Sequence, residues 1–370
     1  MSRHTDIIFN VIFVPGSVQL LSPLMLSFLD TGPGYSIRLV SNGCNTKEDE
    51  TLRAISKKNQ RFQFHKIATK RMLDHGAALT ILQQMEASSV FAFMDSDIFA
   101  TGDFLTELNW QPAQSAAMFS CPPVWGSQEL TELPEGFGVL SGVYNRLHDG
   151  FCVGSSYFAM YDNQLLSDVM ESTGIRFKKY FWKQLPQALQ DELAGAGKQM
   201  ILYDTGKLIT ILLQLRSGLP VQFRHCRYLE HIGGVSGTGL SRSHQSDGRT
   251  DQYRRIAANA LRYLRPRLNV HPDWRRLSVD EEIRWVDARS SRRRNVCAFF
   301  SELMAGLALT GSQNTSFSLD DHDVINEVNR VASLLRELYP DWFRSIELTI
   351  REGRGDASTQ HSASGNQSAV

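Results

Sequence analysis

Residues 7–14 (IIFNVIFV) form an almost unbroken apolar run, the pattern of a strand buried on both faces of a parallel sheet. The run stops at Pro15-Gly16. Residues 18–29 have helical spacing and end at Thr31-Gly32-Pro33-Gly34. A second strand, 35–40 (YSIRLV), ends at Ser41-Asn42-Gly43. Residues 46–58 are polar and helical, and Thr46 and Asp49 have the spacing of a capping box. A third strand covers 62–67, an amphipathic helix 75–85, and a fourth apolar strand 90–94, which runs into Asp95-Ser96-Asp97. This alternation predicts an α/β fold, an open and mainly parallel sheet with helices on both faces. Ligands of such sheets sit beyond the carboxyl ends of the strands. Asn42 and 95–97 fall at those ends.

The rhythm loosens afterwards. Residues 118–125 read as a strand turning into a loop, 150–161 as a strand interrupted by glycine, and 177–193 as a helix broken or kinked at Pro186. A short strand at 201–203 precedes a helix at 205–216, and 221–223 is another strand. From Tyr228 to about Asp251 the chain is rich in Gly, Ser, Thr and His. Helical patterns follow at 251–263, 296–309 and 320–338. The chain therefore divides into an α/β domain at 1–240, a mainly helical region at 241–354 and a small, polar, disordered tail at 355–370. The amphipathic 324–338 stretch needs a surface to pack on: the α/β core, one side of a cleft in it, or a homodimer contact.

Charge changes this picture little. Lys+Arg and Asp+Glu balance at 39 each, so nothing global calls for nucleic acid. Arginines crowd 254–294, which reads as a solvated helical surface or as a basic wall for phosphate or an acidic membrane. The 5 cysteines are widely spaced with no CxxC, which fits reduced thiols in a cytoplasmic protein. No apolar run approaches the ~20 residues of a membrane span, so membrane contact is at most peripheral.

Chemistry is concentrated in three places. Asp95 and Asp97 follow an apolar strand and precede Ile98-Phe99, so the pair lies against a core. If strand geometry continued, both would point to one side. Such a pair suits a hard divalent cation that bridges phosphates, although paired acids also occur in ordinary surface turns. His231 opens a segment with Gly233, Gly234 and Ser236; a neutral imidazole can complete a metal site, and glycines let backbone N–H groups approach phosphate oxygens. Asp204, between a strand and a helix, is either a helix cap or a general base.

The order of these features resembles GT-A type glycosyltransferases, of the inverting sort related to the large family 2. The resemblance covers about 6–240. It implies a Rossmann-like nucleotide-binding domain, with a C-terminal helical extension here, that moves a sugar from a nucleotide-diphosphate donor to a hydroxyl acceptor (a saccharide, a lipid-linked glycan or another hydroxyl compound). It implies Mn2+ or Mg2+ on Asp95, Asp97 and His231, donor contacts from Val14, Pro15, Asn42, Asp95, Ser96, Gly234 and Ser236, and Asp204 as the base. An acceptor loop matches Val153-Gly154-Ser155-Ser156. Val14-Pro15-Gly16, Asn42 and Tyr203 depart from the usual residues of the family. If Asp204 is not the base, Asp162 and Glu230 come next. A HAD-like phosphatase would share the DxD and use Asp320-Asp321, but lacks the expected Gly-Thr after it. A non-catalytic nucleotide-sugar-binding protein is the remaining alternative.

Overall fold

The structure, a computed structural model, describes residues 7–234 except Lys70, Glu135 and Ser141, together with Ser236, 322–338 and 340. The first four strands are β1 (Ile7–Phe13), β2 (Tyr35–Ser41), β3 (Phe62–Lys66) and β4 (Val90–Asp95). Between them lie α1 (Val18–Leu21), α2 (Thr46–Ser56) and α3 (His75–Gln84). After a turn come β5 (Ile98–Ala100), α4 (Phe104–Leu108) and β6 (Ala117–Phe119). Four two-residue strands follow: β7 (Thr131–Glu132), β8 (Val139–Leu140), β9 (Asn145–Arg146) and β10 (Cys152–Val153). The chain continues through β11 (Phe158–Asp162), α5 (Asn163–Thr173), β12 (Tyr180–Phe181), α6 (Gln187–Gly195), β13 (Leu202–Tyr203), α7 (Lys207–Ser217), β14 (Val221–Phe223) and β15 (Leu229–His231). The described part of the C-terminal region is one helix, α8 (His322–Leu338).

Seven strands form the main sheet in the order β14-β6-β11-β4-β1-β2-β3. All pairings are parallel except those of β11, which is antiparallel to both β4 and β6. This is the mainly parallel α/β sheet expected. Both faces are packed. On one, Phe9 meets Tyr35, Phe104 and Phe158, and Phe28 closes the cluster. On the other, Phe91 and Phe93 meet Tyr161 and Phe177. Double burial is why β1 and β4 read as continuous apolar runs rather than alternating ones.

Three local expectations need correction. The helix expected at 18–29 is α-helical only over Val18–Leu21; Ser22–Asp30 is a 3-10 helix with Pro23 in its first turn, where the missing proline N–H cannot continue an α-helical ladder. The capping box of α2 is one residue earlier than Thr46/Asp49. Asn45 accepts from the Glu48 N–H at 3.0 Å and Glu48 accepts from the Asn45 N–H at 2.9 Å. Asp49 is buried instead, held by Ser41 and Lys66 at 2.5 Å each. Finally, 177–193 breaks at Pro186 as expected, but the part before the break is not α-helical. Tyr180–Phe181 pairs with β13, and α6 starts after Pro186, which serves as its N-terminal boundary.

Contacts divide the chain into two compact units, 1–293 and 294–370. The helical patterns at 251–263 and 296–309, the arginine-rich stretch and the tail lie outside the described residues. Among the described residues no helix is long and apolar enough to cross a membrane.

Candidate functional site

Asp95 is the last residue of β4. Ser96 and Asp97 turn the chain into β5. Antiparallel pairing of β5 with β15 sets His231 opposite Ile98, and the Ile232 N–H extends the pairing to the Asp97 carbonyl at 3.2 Å. Two short strands thus bring a histidine from the far end of the α/β unit beside the carboxylate pair.

His231 Nε2 lies 3.3 Å from Asp97 Oδ1 and 3.8 Å from Asp95 Oδ2. One ligand atom from each of the three residues lies within 4.8 Å of the others. The Asp97 and His231 side chains are fully buried and Asp95 is 14% exposed. His231 Nδ1 is 2.9 Å from the Cys121 carbonyl oxygen. A carbonyl only accepts, so Nδ1 carries a proton and donates it, leaving Nε2 to face the carboxylates. Cys121 has φ 65°, a left-handed conformation uncommon for a residue other than glycine.

Two carboxylates and an imidazole lone pair in one buried spot need a positive charge among them. Without a metal, a proton on Nε2 can serve. Burial pulls the His231 pKa down, but the charge of Asp97, its hydrogen bond and the charge of Asp95 outweigh burial and raise it above 6.5. Two carboxylates and an imidazole with its outer nitrogen anchored are also a fitting donor set for a divalent cation.

The remaining candidates occupy the same edge of the sheet. Val14 and Pro15 follow β1 in a turn in which the Ser17 N–H donates to Val14 O at 3.0 Å, and the Gly16 N–H donates to Glu48 Oε1 at 2.6 Å. Asn42 follows β2 and is buried. Its amide group donates to Leu73 O at 3.0 Å and accepts from the Leu73 N–H at 2.9 Å, which clamps the end of β2 to the approach to α3. Ser96 is fully buried, with an Oγ that has no hydrogen-bond partner among the described residues. Gly233 and Gly234 both have left-handed φ, 87° and 90°. The Ser236 N–H donates to Asp97 Oδ2 at 3.2 Å, and its hydroxyl donates to Asp95 Oδ2 at 3.3 Å. The glycine segment therefore lies on the carboxylates. Its continuation beyond Ser236 is outside the described residues.

Asp204 does not cap α7. The N-cap is Gly206, with φ 76° and no side-chain cap bond. Asp204 Oδ1 accepts from the Thr205 N–H at 2.9 Å and lies 3.4 Å from Lys179 Nζ, with the carboxylate side chain 28% exposed. A Cβ added to Gly142 would sit 3.6 Å from Asp204 Oδ2 and 3.7 Å from the Tyr157 hydroxyl. The Tyr157 ring packs 5.0 Å from that of His231. Asp204 thus belongs to the same end of the molecule as the cluster, with Tyr157 between. Val153-Gly154-Ser155-Ser156 leads into Tyr157, and Ser155 Oγ donates to Gly142 O at 3.1 Å. Asp162 pairs with Val90 at the opposite end of β4 and caps α5. Asp320 and Asp321 lie outside the described residues.

Cys121, Gly142, Tyr157 and Lys179 escape a reading of the sequence. A backbone carbonyl, a missing side chain and a packed ring carry no motif, and their neighbours come from distant segments.

No family model matches the sequence, and no curated protein matches it. Several solved structures show a loose likeness to this chain. Mannosyltransferase PcManGT from Pyrobaculum calidifontis, in complex with GDP-Man and Mn2+, is 11% identical with a TM-score of 0.38, over 92% of this chain and 83% of that one. S. aureus TarS 1-349 in complex with UDP-GlcNAc is 16% identical with a TM-score of 0.34, over 94% of this chain and 92% of that one. The apo-form glycosyltransferase GlyE of Streptococcus pneumoniae TIGR4 is 10% identical with a TM-score of 0.34; the match takes in 59% of this chain and 45% of GlyE, so this chain spans less than half of that protein. These likenesses are loose, and what the site can do rests on its own geometry.

Proposed function

We propose that the chain is a GT-A type glycosyltransferase that moves a sugar from a nucleotide-diphosphate donor to an acceptor hydroxyl with the help of a divalent cation. The observation that carries this reading is the cluster of Asp95, Asp97 and His231, with His231 Nδ1 anchored on Cys121 and Nε2 turned to the carboxylates. These three residues would hold Mn2+ or Mg2+, which when bound supplies charge neutralisation for a departing diphosphate.

The chain's own groups then divide the work. Val14, Pro15 and Asn42 stand at the carboxyl ends of β1 and β2, beside β4, where a nucleotide lies along the sheet edge. Ser96 offers a buried hydroxyl within the turn. Gly234 and Ser236 belong to the glycine segment that lies on the carboxylates, where a phosphate oxygen would take over the Ser236 N–H from Asp97 Oδ2. Asp204 accepts the proton of the acceptor hydroxyl as its oxygen attacks the anomeric carbon, and attack from the face opposite the diphosphate inverts that carbon. The acceptor carries its hydroxyl on a saccharide, a lipid-linked glycan or another compound. A cytoplasmic setting suits the four buried free thiols among the described residues, Cys44, Cys121, Cys152 and Cys226.

A panel of UDP- and GDP-sugars with Mn2+ tests the reading. Slow donor hydrolysis that stops with EDTA is expected. Phosphomonoester hydrolysis in its place would assign a phosphatase, and binding without turnover a nucleotide-sugar-binding protein.

A further inference from the structure

Buried polar atoms without partners are few in folded proteins, and each marks a place where a ligand or water belongs. Among the described residues of the α/β unit these include Ser96 Oγ, Ser120 Oγ and Trp125 Nε1, and all three flank the carboxylate cluster in sequence or space. Trp125 is the one with a single chemical option. An indole N–H donates and never accepts, so only an acceptor can satisfy it.

The position of Trp125 is fixed by the cluster itself. The Val124 N–H donates to the His231 carbonyl at 3.0 Å, which ties the Pro122–Trp125 turn to β15. The indole packs edge-on against Tyr157 with ring centroids 6.5 Å apart, and Tyr157 in turn covers His231. Trp125 is only 6% exposed. Its Nε1 packs close to Gly233: a Cβ there would collide with Nε1 and with the Pro123 ring. Only glycine fits at 233, because the indole and the Pro123 ring fill the space a Cβ would take, so the indole nitrogen lies directly against the segment whose Ser236 rests on Asp95 and Asp97.

From this geometry we infer that Trp125 is a binding residue for the donor diphosphate, its indole N–H donating to a phosphate oxygen beside the Asp95-Asp97-His231 cluster. A phosphate oxygen suits the site better than a sugar hydroxyl. It is an acceptor only and negatively charged, and the neighbouring glycine backbone and cation-binding cluster suit the same group. The inference rests on the glycosyltransferase reading and adds to it a residue outside the metal cluster.

Two measurements on the full chain test it. The first is calorimetric titration of UDP and GDP in Mn2+ with wild type, Trp125→Phe and Trp125→His. Phenylalanine keeps an aromatic ring and deletes the N–H; histidine keeps a ring N–H. Loss of one hydrogen bond to a charged group weakens binding roughly 10-fold or more, so Trp125→Phe should bind about that much less tightly, with part of the loss recovered by Trp125→His. The second measurement follows the indole N–H signals of the 6 tryptophans by 15N-labelled NMR while inorganic pyrophosphate is added with Mg2+. One indole signal, absent in whichever Trp125 variant folds, should move downfield. Unchanged affinity of Trp125→Phe, or an unmoved Trp125 signal at saturation, overturns the inference while leaving the transferase reading in place. Failure of wild type to bind either nucleotide or pyrophosphate removes that reading, and this inference with it.

Discussion

His231 donates from Nδ1 to the carbonyl oxygen of Cys121 at 2.9 Å, and this bond settles which nitrogen faces Asp97. The anchoring carbonyl belongs to a residue at φ 65° in the loop after β6. The imidazole therefore cannot rotate away from the carboxylates without leaving a buried N–H unpaired, a cost of about 1–3 kcal/mol. A preset imidazole predicts a defined contribution to metal affinity. His231→Ala should weaken Mn2+ binding by at least ~10–100-fold, the range in which even partners outside the coordination shell act. Titration of free Mn2+ by electron paramagnetic resonance measures this directly. Affinity within a factor of two of wild type would place the cation away from His231.

Asp204→Asn separates two roles that share one position. Because Gly206, not Asp204, caps α7, an amide in place of the carboxylate should disturb the helix little. The Thr205 N–H keeps an oxygen acceptor, and the half-exposed Lys179 loses only a weak partner. Stability should fall by under ~1 kcal/mol in urea unfolding. Turnover should fall by ~100-fold or more if the carboxylate takes the acceptor proton. Near-normal turnover would move the base away from Asp204. Glu230, paired with Phe99 across the β5–β15 ladder, would then be the carboxylate to test.

Much of this architecture was legible because double burial leaves a plain signature. That signature marks β1 and β4; β2 and the edge strand β3 are partly exposed, and the sequence places all four to within a residue or two. Asp95 and Asp97 stood out because acids seldom close an apolar strand. What could not be read is contact made across long sequence distances. The strand Leu229–His231 is three residues long, too short for any periodicity, yet its pairing with β5 brings His231 to Asp97. The break at Pro186 is as expected, but the half before it is not α-helical, for a related reason. The apolar spacing of 177–193 fits a helix, but Tyr180–Phe181 is claimed by β13, a tertiary pairing that overrides local preference. The capping box of α2 sits one residue before Thr46 and Asp49, which have the spacing, because Asn45 and Glu48 have the better chemistry.

That capping box has a second attachment. Glu48 accepts from the Asn45 N–H at 2.9 Å and from the Gly16 N–H at 2.6 Å, so one carboxylate ties the start of α2 to the Val14-Pro15-Gly16 turn. Asn45→Ala removes only the cap and should cost about 1 kcal/mol with nucleoside diphosphate affinity unchanged. Glu48→Ala should cost at least as much and also loosen the turn, with a several-fold rise in Kd for UDP or GDP. Equal affinities in the two variants would show that the Gly16 tether does not shape the nucleotide site.

His75 supplies a pH dependence separate from the metal cluster. It is the first residue of α3, and although residue 75 reaches the surface in part, its Nε2 is enclosed without a partner. Burial is the largest influence and pushes its pKa down to about 4; the Ser156 backbone contact and the charges of Asp74 and Asp204 act the other way but are weaker. In the unfolded chain the imidazole titrates near its ordinary value of 6.5. Between these values the unfolded state binds more protons than the folded one, so stability rises with pH across that window. Read downward, the protein loses stability from about pH 6.5 to about pH 4, and below that the loss from this residue is complete. The contribution is at most roughly 3–4 kcal/mol, since each pKa unit corresponds to ~1.4 kcal/mol. His75→Gln cannot titrate, so its stability should fall less steeply over the same window, whatever its stability at neutral pH. Urea unfolding of both proteins at about pH 7 and about pH 4 gives the difference in slope. Parallel pH profiles would mean that the folded state protonates His75 as readily as the unfolded chain does, and that its enclosure is not maintained in solution.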